Sequence, residues 1–186
     1  MNETITSILN RRSIRSYKPE QIQAEELELI LKAGTFAPSA MNQQPWHFSV
    51  IQNPAVIQHI SETLKEIFLN SGNEHFENVA KSKNFNIFYK APTLVIVSGD
   101  EKAVAPQCDC VLAMGNMFLA AASLGIDSCW IHSLTHLANS DKGKAIISEL
   151  GIPEGYKIFA SGVFGYAAGA APSAAPRKED TIAIIK

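Results

Sequence analysis

The sequence predicts an α+β fold in which helices cover both faces of a mixed sheet. Helical and strand-like patterns interleave along the 186 residues, but they lack the regular strand–helix–strand alternation of a doubly wound fold. Residues 93–100, TLVIVSGD, begin as a continuous apolar run, which is typical of a strand covered on both faces. No repeat or linker divides the chain. We therefore expect one domain over residues 1–186, with an extended C-terminal arm over about 166–186.

The helices are predicted from apolar spacing and from the positions of proline and glycine. In residues 24–36, Leu27 and Ile30 fall at helical spacing behind an acidic start. Pro54 suits the first turn of the next helix, and Gly125 suits a left-handed C-cap. The predicted helices cover residues 4–10, 24–36, 54–69, 107–124 and 141–150, with Asp141 as the cap of the last one.

The strands are predicted from alternation and from short buried runs. Trp46, Phe48 and Val50 alternate onto one side of a strand. The predicted strands cover residues 46–51, 93–100, 128–131 and 156–164. Residues 70–90 carry aromatics without clean periodicity, so we expect mobile helix and loop there.

Composition and charge exclude several classes of protein. A formal net charge of -2 offers no basic field for nucleic acid. The longest apolar stretch, residues 111–126, is interrupted by Gly115, Asn116 and Ser123, so we expect a buried helix and no membrane association. The start of the chain lacks the pattern of a signal peptide. Three cysteines without framework spacing fit a reducing compartment, and we expect the cytoplasm.

The first candidate binding segment is RRSIR, with Arg11, Arg12, Ser13 and Arg15. Arginine forks bind phosphate or a carbonyl edge with a geometry that lysine does not match. The alternative is a solvated basic helix end, because cations are also favoured at a helix C-terminus. A second cationic pair begins at Arg177, and its alternative is a solvated tail.

The second candidate segment is APSAMNQQPWHF, residues 37–48, in which amides, prolines and a tryptophan precede a strand. A connecting loop needs turn residues, whereas clustered amides beside an indole favour a flat polar ligand. Asn42 is the main candidate for pairing with such a ligand, and Gln44 is a weaker one. Trp46 is expected to anchor the loop in the core.

Common catalytic motifs are missing from the sequence. We find no GxGxxG and no P-loop, so any phosphate must be held by arginines and serines. His132 and His136 have ligand spacing but lack an acidic third ligand, so we predict no metal. Cys129 has no partner that would make it a nucleophile. If the protein is an enzyme, a cofactor is expected to supply the chemistry.

The chain resembles the FMN-dependent nitroreductase family. The resemblance extends over nearly the full length, and its motifs occur in the same order and at similar spacing. They are RRSIRSY, APSAMNQQPWHF, APTLVIVSGD, LAMGNMFLAAASLGIDSCWI and, near the end, FGY followed by PRK. The resemblance implies a three-layer α/β/α fold with a mainly antiparallel central sheet. It also implies a homodimer that exchanges C-terminal arms and binds FMN at its interface.

The resemblance also implies roles for residues at matching positions. Arg15 would lie near the pyrimidine edge of the flavin, where positive charge favours reduction. Ile131, His132 and Ser133 would form a loop that approaches the ring; the family often has a glycine there. The cofactor-binding residues implied are Arg11, Arg12, Ser13 and Arg177 for the phosphate and ribityl chain, Arg15, Pro38, Ser39, Asn42 and Gln44 around the ring, and Ile131, His132 and Ser133 in that loop.

The implied reaction is a ping-pong hydride transfer. NADH or NADPH would reduce flavin N5, and an electron-poor acceptor such as a nitroaromatic or quinone would then be reduced. Residues 66–90 would lie over the site. Their aromatics serve either as a lid or in ordinary helix packing, and packing is the preferred interpretation. Two alternatives stay open: a flavin-binding or sensing protein with little turnover, and a dehalogenase or flavin-fragmenting enzyme of the same fold.

Overall fold

The computed structural model describes residues 1–186 except for the side chain of Asn139. Its α-helices are α1 (Glu3–Asn10), α2 (Ala24–Thr35), α3 (Pro54–Leu69), α4 (Glu74–Ala80), α5 (Pro106–Ser123) and α6 (Asp141–Glu149). Its strands are β1 (Trp46–Ile51), β2 (Thr93–Asp100), β3 (Asp127–Trp130) and β4 (Tyr156–Gly165). Short 3-10 helices cover Ala40–Asn42 and His132–Asn139.

The four strands form one sheet in the order β1-β2-β4-β3. All three pairings are antiparallel; Phe48 pairs with Val97, and Ser128 pairs with Phe164. A parallel bridge joins Ser13 to Ser128 beyond the free edge of β3. The predicted α+β class with a mainly antiparallel sheet is confirmed, and the parallel component is confined to that bridge.

Each face of the sheet carries its own hydrophobic core. Leu94 and Ile96 of β2 belong to one core, which α3, α6 and the 3-10 helix His132–Asn139 cover. Val95 and Val97 belong to the other core, which α2 and α5 cover. Side chains alternate between the faces of a strand, so the apolar run of β2 is buried on both sides, as predicted, between two helical layers.

Most predicted elements agree with the structure within one residue, and two local details differ. Pro54 is the first residue of α3, and Gly125 follows α5 with a φ of +74°, as its predicted C-cap role requires. The predicted cap at Asp141 is wrong: the Ser140 hydroxyl accepts from the Gly143 amide at 3.0 Å, and Asp141 is the first helical residue. The stretch from His132, expected to be a loop, is 3-10 helical.

The aromatics of residues 66–90 pack mainly into the core. Phe68 and Phe88 are buried, and Phe76 stacks on Phe68 with ring centroids 4.8 Å apart. Phe85 also packs against this core. The packing interpretation is therefore confirmed for these four aromatics. Tyr89 also packs against this core, and its ring belongs to the site described below.

The C-terminal segment after β4 leaves the body of the chain. Every residue from Ala168 to Lys186 is exposed, and Ile182, Ile184 and Ile185 are 83%, 76% and 97% exposed. The alternative in which this tail docks on its own subunit is therefore wrong. In the part of the chain that the structure describes, no helix combines the length and apolarity needed to cross a membrane.

Candidate functional site

The RRSIR segment is held at the edge of the sheet. After α1 ends, the amide of Ile14 donates to the carbonyl of Ser128 at 3.1 Å, beside the bridge from Ser13 to Ser128. Ile14 is buried and Arg15 is exposed, because side chains alternate in an extended chain. The core therefore fixes the backbone while Arg15 projects outward.

Arg11 and Arg12 have different surroundings. Nη1 of Arg12 donates to the carbonyls of Leu9 at 2.7 Å and of Arg11 at 2.9 Å. Arg12 therefore caps the C-terminus of α1, which is the alternative that the sequence left open. Its Nε is buried and has no partner among the described atoms. The Arg11 guanidinium lies 5.8 Å from the centroid of the Phe118 ring.

Arg15 lies over an aromatic ring in an unusual turn. Its Cζ atom is 5.9 Å from the centroid of the Tyr89 ring. Tyr89 and Lys90 have φ values of +56° and +60°, a left-handed conformation that is uncommon for residues other than glycine. The Asn86 side chain stabilises this turn by accepting from the amides of Phe88 and Lys90, each at 3.1 Å.

The guanidinium groups at this edge lack carboxylate partners. Among the described side chains, all three ion pairs involve lysines and none involves an arginine. A cavity of about 550 Å³ lies beside Arg11, Arg12 and Ser128, at the end of α5. A second cavity of about 340 Å³ lies between the segment from Ser13 to Ser16 and the start of the arm. Unpaired arginines beside open cavities favour a bound anion.

Two buried groups lie behind the arginines: Cys129, which the sequence analysis considered only as a nucleophile, and Tyr17, which it missed. Burial raises the pKa of the Cys129 thiol, while Arg15 and the Ser13 hydroxyl oppose this rise. Burial is the main cause that raises the pKa of Tyr17, and the negative charges of Cys129 and Asp127 add to it. The Tyr17 hydroxyl has no partner among the described atoms. Tyr17 could have been suspected because it ends the RRSIRSY motif two residues after Arg15.

The amide segment is a tight and conformationally unusual loop. Met41, Asn42 and Gln44 have φ values of +52°, +54° and +47°. The Gln44 amide donates to the Ser39 hydroxyl at 3.0 Å, and Gln44 Nε2 donates to Asn42 Oδ1 at 2.9 Å. Because Asn42 Oδ1 is engaged, its Nδ2 group is the part left to donate to a ligand. Pro38 is exposed beside them.

Trp46 follows this loop and packs on the core formed with α2 and α5. Its ring stacks with that of Phe48 at a centroid distance of 6.4 Å. The predicted anchoring role of Trp46 is therefore confirmed.

The same loop is fastened to the start of α5. Asp109 Oδ1 accepts from the Ala40 amide at 3.1 Å, and Gln43 Oε1 accepts from the Val104 amide at 2.8 Å. Asp109 is 3% exposed, and its Oδ2 has no partner among the described atoms. Burial and the Asp109 charge raise the pKa of Cys110 to about 12. The sequence analysis missed Asp109, although it is a single carboxylate in an apolar helix.

Ile131, His132 and Ser133 follow β3 at the same edge as the arginines. Ile131 is buried; its amide donates to the carbonyl of Ser161 at 2.9 Å, and the Ser161 hydroxyl donates back to its carbonyl. This pair fixes where the chain leaves the sheet. His132 is exposed and Ser133 is half-buried.

The second histidine of the pair, His136, packs against the rings of Phe68 and Phe76 at 5.7 and 5.1 Å. A residue in this setting contributes to the core. Within the described residues, no group of three or more potential ligands could hold a metal.

Within one chain, the RRSIR segment and residues 38–44 lie apart from each other. Arg11 lies over Phe118, whereas Ala40 is held by Asp109, and these two α5 residues are nine positions apart. Nine residues correspond to about 14 Å along a helix axis. Arg177 lies in the exposed arm and joins neither segment. The structure thus brings the RRSIR segment close to the strand that leads into Ile131, but it leaves residues 38–44 and Arg177 separate.

Comparisons with known proteins agree on one family. The "Nitroreductase family" model matches residues 8–166. A nitroreductase with bound FMN from Bacteroides fragilis is 39% identical over 100% of both chains, with a TM-score of 0.94. A nitroreductase with bound FMN from Desulfitobacterium hafniense is 28% identical over 100% of both chains, with a TM-score of 0.90. An Archaeoglobus fulgidus protein named "Putative NADH dehydrogenase/NAD(P)H nitroreductase" is 34% identical, covering 89% of this chain and 86% of that protein. The chain belongs to the nitroreductase family.

Proposed function

We propose that this protein is an FMN-dependent oxidoreductase that takes hydride from NADH or NADPH and reduces an electron-poor acceptor, such as a nitroaromatic or quinone. The observation that carries the proposal is the RRSIR segment, whose arginines lack carboxylate partners among the described side chains and border open cavities. The relatives named above support the cofactor and the donor, because two of them contain FMN and one is named for NAD(P)H.

The residues present fit FMN chemically. A phosphate needs several hydrogen-bond donors, and the buried Nε of Arg12 and hydroxyl of Ser128 lack partners beside the cavity next to Arg11. We assign the phosphate and ribityl chain to Arg11, Arg12 and Ser13, with Arg177 joining from an arm. A flavin ring needs donors for its carbonyl oxygens, and Asn42 Nδ2 is available for this.

Other residues of the chain would shape the ring site. We assign Pro38, Ser39 and Gln44 to its surroundings together with Asn42, and the loop of Ile131, His132 and Ser133 to its other side. Arg15 would place its positive charge near the pyrimidine edge, where it favours reduction. FMN, when bound, would supply the hydride-transfer chemistry between the donor and the acceptor. The protein binds and orients donor and acceptor in turn at this site, which gives ping-pong kinetics.

We also propose that the site is completed by a second copy of the chain. Residues 38–44 and the RRSIR segment lie about 14 Å apart along α5, so the two segments can meet across a dimer axis rather than within one chain. In this arrangement Arg11 of one subunit and Asn42 of the other would hold each FMN.

Exposed apolar side chains support the dimer. α1 has no buried residue among its described side chains, and its Ile5, Ile8 and Leu9 are 42%, 46% and 55% exposed. The single domain over 1–186, with an exchanged arm over 166–186, is part of this proposal. Analytical ultracentrifugation of the full chain and of a chain ending at Gly169 tests it. We expect a dimer for the full chain and weaker association and FMN retention after truncation; a monomeric full chain with normal FMN binding would contradict it.

The test of function is an anaerobic absorption spectrum before and after NADH or NADPH is added. Rapid bleaching of flavin bands, followed by reoxidation on adding a quinone or nitroaromatic, is the expected result. Bands that persist with both donors favour the flavin-binding or sensing alternative. Bleaching without acceptor turnover, but with release of halide from a halogenated substrate, favours the dehalogenase. Absence of flavin after incubation with FMN would refute the proposed cofactor.

We place the protein in a reducing compartment such as the cytoplasm. Its three cysteines are free thiols, and exposed thiols such as Cys108 persist where disulfide exchange keeps them reduced. Fractionation of cells with an antibody to the protein tests this location, and recovery from a secreted or periplasmic fraction would contradict it.

A further inference from the structure

Asp109 is a buried carboxylate that uses only one of its two oxygens in hydrogen bonds among the described atoms. It is 3% exposed and lies in the first turn of α5, where the helix dipole stabilises a negative charge. Its Oδ2 has no partner among the described atoms. A buried polar atom without a hydrogen bond destabilises a fold, so an apolar residue at this position would be expected if packing alone mattered.

The other oxygen of Asp109 holds the amide loop. Oδ1 accepts from the Ala40 amide at 3.1 Å across 69 positions of sequence, and a hydrogen bond to a charged acceptor is stronger than a neutral one. The turn that follows contains Met41 and Asn42 in the left-handed conformation, which is unfavourable for both. A turn of this kind persists only when its surroundings hold it.

We propose that Asp109 is a positioning residue whose buried carboxylate fixes the left-handed turn that presents Asn42 Nδ2 to the flavin. The inference rests on the proposed function, because it takes FMN as the ligand of Asn42. Gln43, which accepts from the Val104 amide at 2.8 Å, is the second attachment of the loop to the same helix end. Two attachments on either side of the turn limit its freedom before the cofactor binds.

The variants that test the proposal are Asp109→Ala, Asp109→Asn and a control, Cys108→Ala. Asparagine keeps an acceptor for the Ala40 amide but removes the charge, whereas alanine removes both. Cys108 is the preceding residue on α5 and is exposed. The first readout is hydrogen exchange of the amides of residues 40–44 in the full-length protein without FMN, and the second is the dissociation constant of FMN from fluorescence quenching.

In Asp109→Ala we expect exchange of these amides to rise and FMN binding to weaken about tenfold, with a smaller change in Asp109→Asn, which keeps an acceptor without the charge. The Cys108→Ala control should match wild type in both readouts. Unchanged exchange in Asp109→Ala overturns the proposal. A larger loss in Asp109→Asn than in Asp109→Ala also overturns it, because the loop would then not depend on an acceptor at this position. If Asp109→Ala does not fold, Asp109→Val replaces it, since valine fills more of the space without an acceptor.

The two readouts separate this proposal from the proposed function. If wild type binds no FMN, the proposed function fails, while the exchange data still decide whether Asp109 holds the loop. If Asp109→Ala loosens the loop and leaves FMN affinity unchanged, the positioning role is overturned although FMN binding by wild type stands.

Discussion

The clearest prediction concerns Arg12, whose structural and binding roles can be separated. Arg12→Ala removes two hydrogen bonds from Nη1, to Leu9 O at 2.7 Å and to Arg11 O at 2.9 Å. Hydrogen bonds to charged groups contribute about 1.5–3 kcal/mol when buried, but Arg12 is only half-buried, and its orphaned Nε is lost as well. We therefore expect the free energy of unfolding to fall by about 1–2 kcal/mol.

Such a loss lowers Tm by about 2–8 °C in a chain of this size. The assay is urea unfolding followed by circular dichroism, at one protein concentration because a dimer's stability depends on it, with and without saturating FMN. Arg11→Ala is the matched control, because among the described side-chain contacts its guanidinium would lose the one with the Phe118 ring, which contributes about 0.5–1 kcal/mol. A flavin-free Arg12→Ala protein as stable as wild type would refute the capping role.

Two further predictions concern Arg15 and the thiols. Arg15→Ala should lower the flavin reduction potential and weaken FMN retention. Tyr89→Leu should have smaller effects, because the ring only supports the guanidinium. If Arg15→Ala changes neither the potential, measured by potentiometry, nor FMN retention, the proposed role of Arg15 is contradicted. At pH 8, iodoacetamide should modify exposed Cys108 but scarcely Cys110 or Cys129, because thiolate forms only as the pH approaches the pKa, which burial raises in both. Equally fast alkylation of all three, measured by mass spectrometry, would contradict this burial.

Local pattern predicted the fold well because its elements are set by residues close in sequence. The apolar run of β2 identified a strand with two covered faces, and Pro54 marked a helix start. The choice between Ser140 and Asp141 as a cap could not be predicted, since both residues are good caps and tertiary packing selects one. The 3-10 geometry after His132 was missed for a similar reason, because short helical turns depend on packing against the core.

The candidate site was only partly predictable. The motifs around Arg11 and Asn42 identified the two segments that we propose for FMN binding, but contacts that join distant positions leave no local signal. The hydrogen bond from Ala40 to Asp109 and the ring contact between Arg15 and Tyr89 are of this kind. The sequence likewise left open whether Arg12 binds a ligand or caps the end of α1, and its hydrogen bond to the Leu9 carbonyl shows the capping role.

The distribution of unsatisfied groups links the separate segments. Six buried side-chain polar atoms lack a partner among the described atoms, and five of them lie within or beside the two segments, in Arg12, Tyr17, His47, Asp109 and Ser128. Native cores satisfy almost all such atoms, so their concentration here indicates that partners arrive with a ligand or a second subunit. FMN should therefore raise the melting temperature of the wild-type protein above that of the apoprotein, by an amount that grows with FMN concentration. A melting temperature insensitive to FMN would show that FMN does not bind preferentially to the folded chain, and would contradict this interpretation.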